Sequence, residues 1–341
     1  MAEQMRVVVG DGQRRDEGAT LRMLALTCAF SGILLLVGTF FDLPLSQAIA
    51  VAEGNPLVTV ISTLGLLPCM FPLCVMVGAC AGRLWDEAKA TGAARTAKAS
   101  KTTKTTKAWP VRRVAGILVC LALVLVAGII GFIELFDVDG LGPILPFAVP
   151  QAAGVAGGIV CGLACGAIGF RGARGNADPE LVRRLALAIL AIVAVNVLST
   201  VVKGAVCRPR FRLLRQGVPG IEYQPWYQAN PGYGRLASEL GLERSNLRSF
   251  PSGHVTQCAF LVATYYGLMA LFPRLRRGWR IVRLAYVPYL LTIMACRILL
   301  AAHFLSDVAM AGLVVTGTTI CLLRAELAIP AAPARAYLRQ V

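Results

Sequence analysis

Eight apolar stretches divide this chain, and each is about as long as a membrane's hydrocarbon core is thick. They run from Leu24 to Phe41, Leu57 to Gly82, Val114 to Phe136, Phe147 to Phe170, Leu185 to Val202, Gly253 to Phe272, Leu284 to Ala302 and Leu305 to Leu323. A helix needs roughly 20 apolar residues to cross about 30 Å of hydrocarbon, and it must satisfy its backbone polar groups internally. The chain therefore reads as all-α: a polytopic membrane helical bundle of about eight transmembrane helices. A membrane barrel would need ten-residue segments of alternating polarity, and none occur. Of the 341 residues, 57% are hydrophobic and 15% charged, against about 25% charged in an ordinary soluble domain.

The net charge of +16 is distributed by side. The connections 83–113, 171–184 and 273–283 and the C-terminal tail 324–341 are basic. The first of these carries Lys89, Arg95, Lys98, Lys101, Lys104, Lys107, Arg112 and Arg113. The connections 42–56 and 137–146 carry acids only. Basic loops stay in the cytoplasm, so both termini are expected there and the acidic connections outside. That pattern sets orientation and argues against a nucleic-acid partner. The expected setting is a bacterial plasma membrane. Residues 1–20 read as a polar cytoplasmic tail, 21–82 as a two-helix N-terminal extension whose first helix is not cleaved, and 83–113 as a flexible basic loop that fixes topology. The connection 204–250 falls outside by parity, yet it carries Arg212, Arg215, Arg235, Arg244 and Arg248. Its Pro and aromatic content suggests a partly ordered cap at the lipid surface.

Local features refine the helices. Pro68 and Pro72 predict a kink in the second run. Gly154, Gly158, Gly162 and Gly166 recur every four residues and predict a face of close helix packing. Most of the eleven cysteines lie within apolar runs at no metal-ligand spacing and read as small buried hydrophobes; Cys207 is expected to be the most accessible.

Three polar clusters stand out against this background, and the chain's two histidines both fall in them. The first is Lys203 to Arg210, with Arg208-Pro209-Arg210. The second is Pro251-Ser252-Gly253-His254. The third is Cys296-Arg297 followed by His303 and Asp307. Counting helices brings all three to one membrane face, outside the cytoplasm. Arg297 lies within an apolar run, where a charge calls for a cavity or a partner. Lys203, Arg208, Arg210 and Arg297 together call for an anion, and guanidinium groups match phosphate oxygens. Pro251 suits a helix start, Ser252 can donate to phosphate, and Gly253 lets the backbone approach a ligand. His303 and Asp307 are four apart, on one helix face. A carboxylate on one imidazole nitrogen fixes the tautomer and leaves the other free to attack.

These residues resemble the phosphatidic acid phosphatase type 2 superfamily, whose pattern is Lys-x6-Arg-Pro, Pro-Ser-Gly-His and Ser-Arg-x5-His-x3-Asp. Lys203 and Arg210 have the x6 spacing, Pro251 to His254 match throughout, and Arg297, His303 and Asp307 match in type and spacing. Two positions depart: Phe211 stands for the first motif's Pro and Cys296 for the third motif's Ser. Arg208-Pro209 offers an Arg-Pro pair two residues early. The resemblance implies a six-helix catalytic core over 114–323. It also implies a phosphatase that uses no metal or other cofactor and acts on a lipid phosphate or diphosphate. On that template His303 is the nucleophile and forms a phosphohistidine, Asp307 orients it, and His254 protonates the leaving oxygen and then activates water. Lys203, Arg210, Arg297, Ser252 and Gly253 hold the phosphoryl oxygens, with Arg208, Cys296 and Pro251 behind them.

Two other readings use the same residues. A transferase would pass the phosphate-bearing group to a lipid or glycan instead of water. An anion transporter or inactive scaffold would bind without turnover, which the His254, His303 and Asp307 set argues against. The fold is also shared with vanadium haloperoxidases, which rank below both.

Overall fold

The computed structural model describes residues 2–99, 111–137, 139–176 and 178–327. Lys101, Lys104 and Lys107 of the first basic connection, and residues 328–341 of the basic tail, lie outside the described residues. Twelve α-helices, and no strand, are found among the described residues: α1 (Ala2–Ile49), α2 (Pro56–Leu64), α3 (Leu67–Ala99), α4 (Val111–Phe136), α5 (Gln151–Ala173), α6 (Leu181–Val206), α7 (Phe211–Arg215), α8 (Gly232–Glu239), α9 (Gly253–Ala259), α10 (Leu261–Leu271), α11 (Trp279–Leu299) and α12 (Leu305–Leu327). Seven segments among the described residues are continuous, long and apolar enough to cross a membrane, against the eight expected; the run from Gly253 to Phe272 drops out because it is broken into α9 and α10. The protein is an integral, multi-pass, all-α bundle.

The boundaries depart from the apolar runs in instructive places. The first helix does not end where the hydropathy drops at Asp42; it continues to Ile49, and Asp42 is buried within it. Residues 2–20 and 83–99, read as tail and loop, are helical extensions of α1 and α3. The kink expected from Pro68 is a break between α2 and α3, because a proline at 68 has no N–H for the carbonyl of Leu64. Pro72 is carried inside α3. The run from Gly253 to Phe272 is two helices, α9 and α10, interrupted at Phe260, whose N–H turns to the Gln257 carbonyl three residues back.

The chain forms two compact units. One comprises Leu67–Leu190 and Ala263–Arg277. Its core is the α3, α4, α5 cluster, and glycine makes it possible. A Cβ on Gly158 would lie 2.5 Å from the Ile129 Cα, and one on Gly162 would lie 2.8 Å from the Val124 carbonyl oxygen. In lipid there is no hydrophobic gain from bringing helices together, so association rests on van der Waals contact between closely approaching backbones. The expected face of Gly154, Gly158, Gly162 and Gly166 is buried along α5. Cys74, Val77 and Val124 pack together there, with Cys120 and Cys165 beside them, as small apolar side chains.

The other unit comprises the chain up to Leu66, Ala191–Val262 and Gly278–Leu327. Here α1 runs antiparallel to α12. Gly38 lies opposite Ser306, where a Cβ would sit 2.7 Å from the Ser306 nitrogen, and Ser31 lies opposite Gly312. The short α2 packs against α11: Tyr289 donates to the Gly65 carbonyl, and the Ile293 side chain abuts Gly65. The two-helix extension read over 21–82 is therefore divided, with α1 and α2 built into this unit.

The connection after α6 is ordered, as its composition suggested. Leu213, Ile221, Ala237 and Leu247 form a small core of its own. Trp226 stacks on Phe250 and donates to Thr39 of α1 at 3.0 Å. Two of its exceptional arginines are engaged internally: Arg215 pairs with Glu53 at 3.1 Å, and Arg212 donates to Asn246 at 3.0 Å. Cys207 is half-buried rather than the most accessible thiol; Cys321 on α12 is exposed instead.

Candidate active site

The third cluster owes its geometry to a helix end followed by a helix start. α11 closes with Ala301 in the left-handed region (φ 53°). The Ala301 N–H reaches the Ile298 carbonyl at 2.9 Å and the Ala302 N–H reaches the Arg297 carbonyl at 3.2 Å. This is the Schellman arrangement. The His303 N–H shares the Arg297 carbonyl at 3.2 Å. The five residues between Arg297 and His303 are thus the length of a helix cap, and the cap folds the histidine back beside the arginine's own backbone.

α12 then starts, and Asp307 occupies its first turn. The Asp307 Oδ2 accepts from the Phe304 N–H at 2.9 Å, the reach-back half of a capping box. A carboxylate here also meets the positive end of the helix dipole. The same oxygen accepts from the Ser249 hydroxyl and lies 3.5 Å from the His303 Nδ1. Ser249 Oγ is itself 3.5 Å from that nitrogen. The Nδ1 side of the ring is therefore turned to Asp307 and Ser249.

His303 is 1% exposed. Burial pushes its pKa down from 6.5 to about 3; the Asp307 hydrogen bond and charge oppose this, while the Arg297 and Arg210 charges add to it. The ring is neutral at neutral pH, so one nitrogen keeps a lone pair. The influence of Arg210 and Arg297 also puts both guanidinium groups in the neighbourhood of the ring.

The first cluster leaves α6 through Cys207, which adopts a left-handed conformation (φ 50°) and turns the chain inward. Arg208, just beyond it, is fully buried. Its Nε donates to the Gln224 carbonyl at 2.8 Å. Nη1 donates to Ser306 Oγ at 2.7 Å and Asp307 Oδ1 at 2.5 Å, and Nη2 to Asp42 Oδ2 at 2.8 Å. The guanidinium also lies 4.3 Å from the Phe304 ring centre. Arg208 thus joins α1, the long connection and α12, and its donors are directed at protein acceptors. Arg210 is buried too; its backbone N–H donates to the Asn246 carbonyl at 2.8 Å, and its charge acts on His303.

The second cluster is pinned to the other two. The Ser252 N–H donates to the Asp307 carbonyl at 3.1 Å, and a Cβ on Gly253 would lie 2.9 Å from Lys203 Nζ. Pro251 and Ser252 are buried; Gly253 and His254 are half-buried at the start of α9. The backbone N–H of Ser252, which could have met a phosphate, is directed at Asp307. Cys296 is buried next to Arg297.

Several residues of the site carry no motif. Asp42 accepts from the Ser306 N–H at 2.9 Å and from the Ser306 hydroxyl, besides Arg208. Ser62 of α2 lies 3.5 Å from Arg297 Nη1. Ser249 belongs to no spacing pattern. An unpaired acid at the end of the first apolar run was the one available signal for Asp42, and it read as a loop residue.

Residues 184–327 match a family model, that of the PAP2 superfamily. This segment is a PAP2-superfamily domain. No curated protein and no solved structure matches the chain. The matched segment runs from α6 to α12 and holds all three clusters, against the 114–323 expected for the core. Asp42 and Ser62 come from outside it. Phosphatase-type chemistry at a membrane goes with this superfamily, so the chain is assigned to phosphoester hydrolysis in that broad sense.

Proposed function

We propose that this PAP2-superfamily protein hydrolyses a lipid phosphate or diphosphate at the extracytoplasmic face through a phosphohistidine intermediate. The observation that carries the reading is the buried, neutral His303, turned by its Nδ1 toward Asp307 and Ser249 with Arg210 and Arg297 nearby. In the first step the His303 Nε2 lone pair forms the N–P bond as the P–O bond to the lipid breaks. His254 gives a proton to the departing oxygen. In the second step His254 takes a proton from water, the water oxygen bonds to phosphorus, and the N–P bond breaks to release inorganic phosphate. Lys203, Arg210 and Arg297 neutralise charge on the phosphoryl oxygens, where phosphoryl transfer most needs stabilisation. Ser252 and Gly253 line the same place, and Pro251 and Cys296 support it. Arg208 acts behind Asp307.

The distribution of basic connections supports an extracytoplasmic site and cytoplasmic termini. A lipid is favoured as substrate because the first and third clusters lie at the ends of α6, α11 and α12, helices long and apolar enough to cross a membrane.

The test is phosphate release in detergent with EDTA present, from phosphatidate, phosphatidylglycerophosphate and a polyprenyl diphosphate, by wild type and His303→Ala. Release that survives EDTA and disappears in the variant is expected, with an acid-labile phosphoenzyme trapped in wild type. Release unaffected by the substitution overturns the mechanism. Recovery of the label in a new lipid or glycan instead of inorganic phosphate overturns hydrolysis in favour of transfer.

A further inference from the structure

Around His303 the charges do not balance in the way the motifs alone would suggest. Arg208 makes a 2.5 Å ion pair with Asp307. Had that been the whole arrangement, the arginine would neutralise the carboxylate that His303 depends on. Attack on phosphorus turns a neutral imidazole into a cationic phosphoimidazole that keeps its Nδ1–H. A neutral Arg208–Asp307 pair stabilises that cation far less than a net negative group does.

The structure contains the missing charge. Asp42, 1% exposed on α1, takes the other side of the same guanidinium, Nη2 to Oδ2 at 2.8 Å. Two carboxylates share one arginine, and all three side chains are buried. The group carries a formal net charge of −1. Asp42 is also anchored so that it cannot swing toward His303 itself. Its Oδ1 caps the Ser306 N–H at 2.9 Å, in the first turn of α12, and its Oδ2 accepts from the Ser306 hydroxyl. Gly38, one turn earlier on α1, permits this approach, because a Cβ there would lie 2.8 Å from Asp42 Oδ1 and 2.7 Å from the Ser306 nitrogen.

We propose that Asp42 is a positioning residue for catalysis: by holding Arg208 from the side opposite Asp307, it leaves Asp307 with the negative charge that the phosphorylated His303 needs. The inference rests on the phosphohistidine reading above. It also gives α1, which lies outside the matched segment, a part in the chemistry. The hydrolytic site then extends beyond the three motifs to a fourth position, 166 residues before Arg208 in the sequence.

The experiment compares kcat and KM of wild type, Asp42→Asn, Asp42→Asn/Arg208→Gln and His303→Ala in detergent, on whichever lipid phosphate wild type hydrolyses. Folding of each is checked by monodisperse elution and thermal unfolding. Asn keeps the shape of the Ser306 cap and removes the charge. The three-residue group falls from −1 to 0 in the single variant and returns to −1 in the double variant. Asp42→Asn is expected to lower kcat by at least about tenfold with KM within about twofold, since the lost interaction matters only once His303 carries charge. The double variant is expected to regain at least about threefold in kcat over Asp42→Asn.

A strut role for Asp42 makes the opposite forecast, because removing Arg208 as well takes away a further contact and cannot help. A double variant no faster than the single one overturns the proposal, and so does an Asp42→Asn kcat within about twofold of wild type. Should Asp42→Asn not be recovered folded, Asp42→Glu takes its place. It retains the charge, and a kcat loss as large as that of His303→Ala overturns the proposal, whereas a kcat within about fivefold of wild type supports it. Wild-type turnover that does not depend on His303 overturns the phosphohistidine reading and this inference with it. Turnover that depends on His303 but not on the Asp42 charge overturns this inference alone.

Discussion

Replacing Arg208 by Met should destabilise the protein more than any other single change at the site. Met roughly preserves the length and apolar contact of the side chain against Phe304 and Tyr223, so packing loss is small. What disappears is a buried cation with donors on four partners: the Gln224 carbonyl, Ser306, Asp307 and Asp42. Hydrogen bonds to charged groups are individually worth about 1.5–3 kcal/mol, but they share one guanidinium and cannot be summed. The better measure is the cost of stranding a buried charge by removing its partner, about 3–5 kcal/mol. Here two carboxylates are stranded together, so the upper part of that range is expected. Equilibrium unfolding in mixed micelles, followed by intrinsic fluorescence, measures it. Adding Asp42→Asn to Arg208→Met should recover part of the loss, because one of the stranded charges is gone. A loss below about 1 kcal/mol, or a second substitution that costs as much in the Met background as in wild type, refutes the electrostatic account of this group.

His303 carries a pH signature. Its ring titrates near 6.5 when exposed and is held down to about 3 by burial in the folded protein. Below pH 6.5 the unfolded chain takes up a proton that the folded one refuses. Its contribution to stability is therefore complete above pH 6.5 and is lost as pH falls toward 3, on the order of 2 kcal/mol by pH 5; His303→Gln should flatten that part of the stability curve, and a variant curve parallel to wild type contradicts the burial argument. Gly253→Ala should raise KM while leaving the unfolding midpoint nearly unchanged, since its Cβ would meet only the mobile end of Lys203, at 2.9 Å; steady-state kinetics beside thermal unfolding tests this. Gly158→Val should cost at least about 1–3 kcal/mol, because the added atoms meet α4 backbone that cannot move aside; an unfolding midpoint equal to wild type contradicts the close α4–α5 approach.

Local spacing made much of this protein legible. Apolar length marks the spans because a bilayer imposes it, and the glycine series on α5 marks a packed face because a missing Cβ is visible in the sequence. The intervals around His303 are legible for a similar reason. Five residues from Arg297 are one helix cap, and three residues from Phe304 to Asp307 are one turn reaching back to its own start. Such devices close within a few residues and so leave a pattern in the chain. What tertiary structure alone decided are the contacts between elements remote in sequence. Which of Arg208 and Arg210 faces the carboxylates depends on where Asp42 arrives, and that depends on α1 lying antiparallel along α12. The break at Phe260, the helical course of α1 through Asp42, and the hydroxyls of Ser249 and Ser62 beside the site have the same origin. A buried charge takes its partner from whichever helix packs against it, and the order of residues along the chain does not encode that distance.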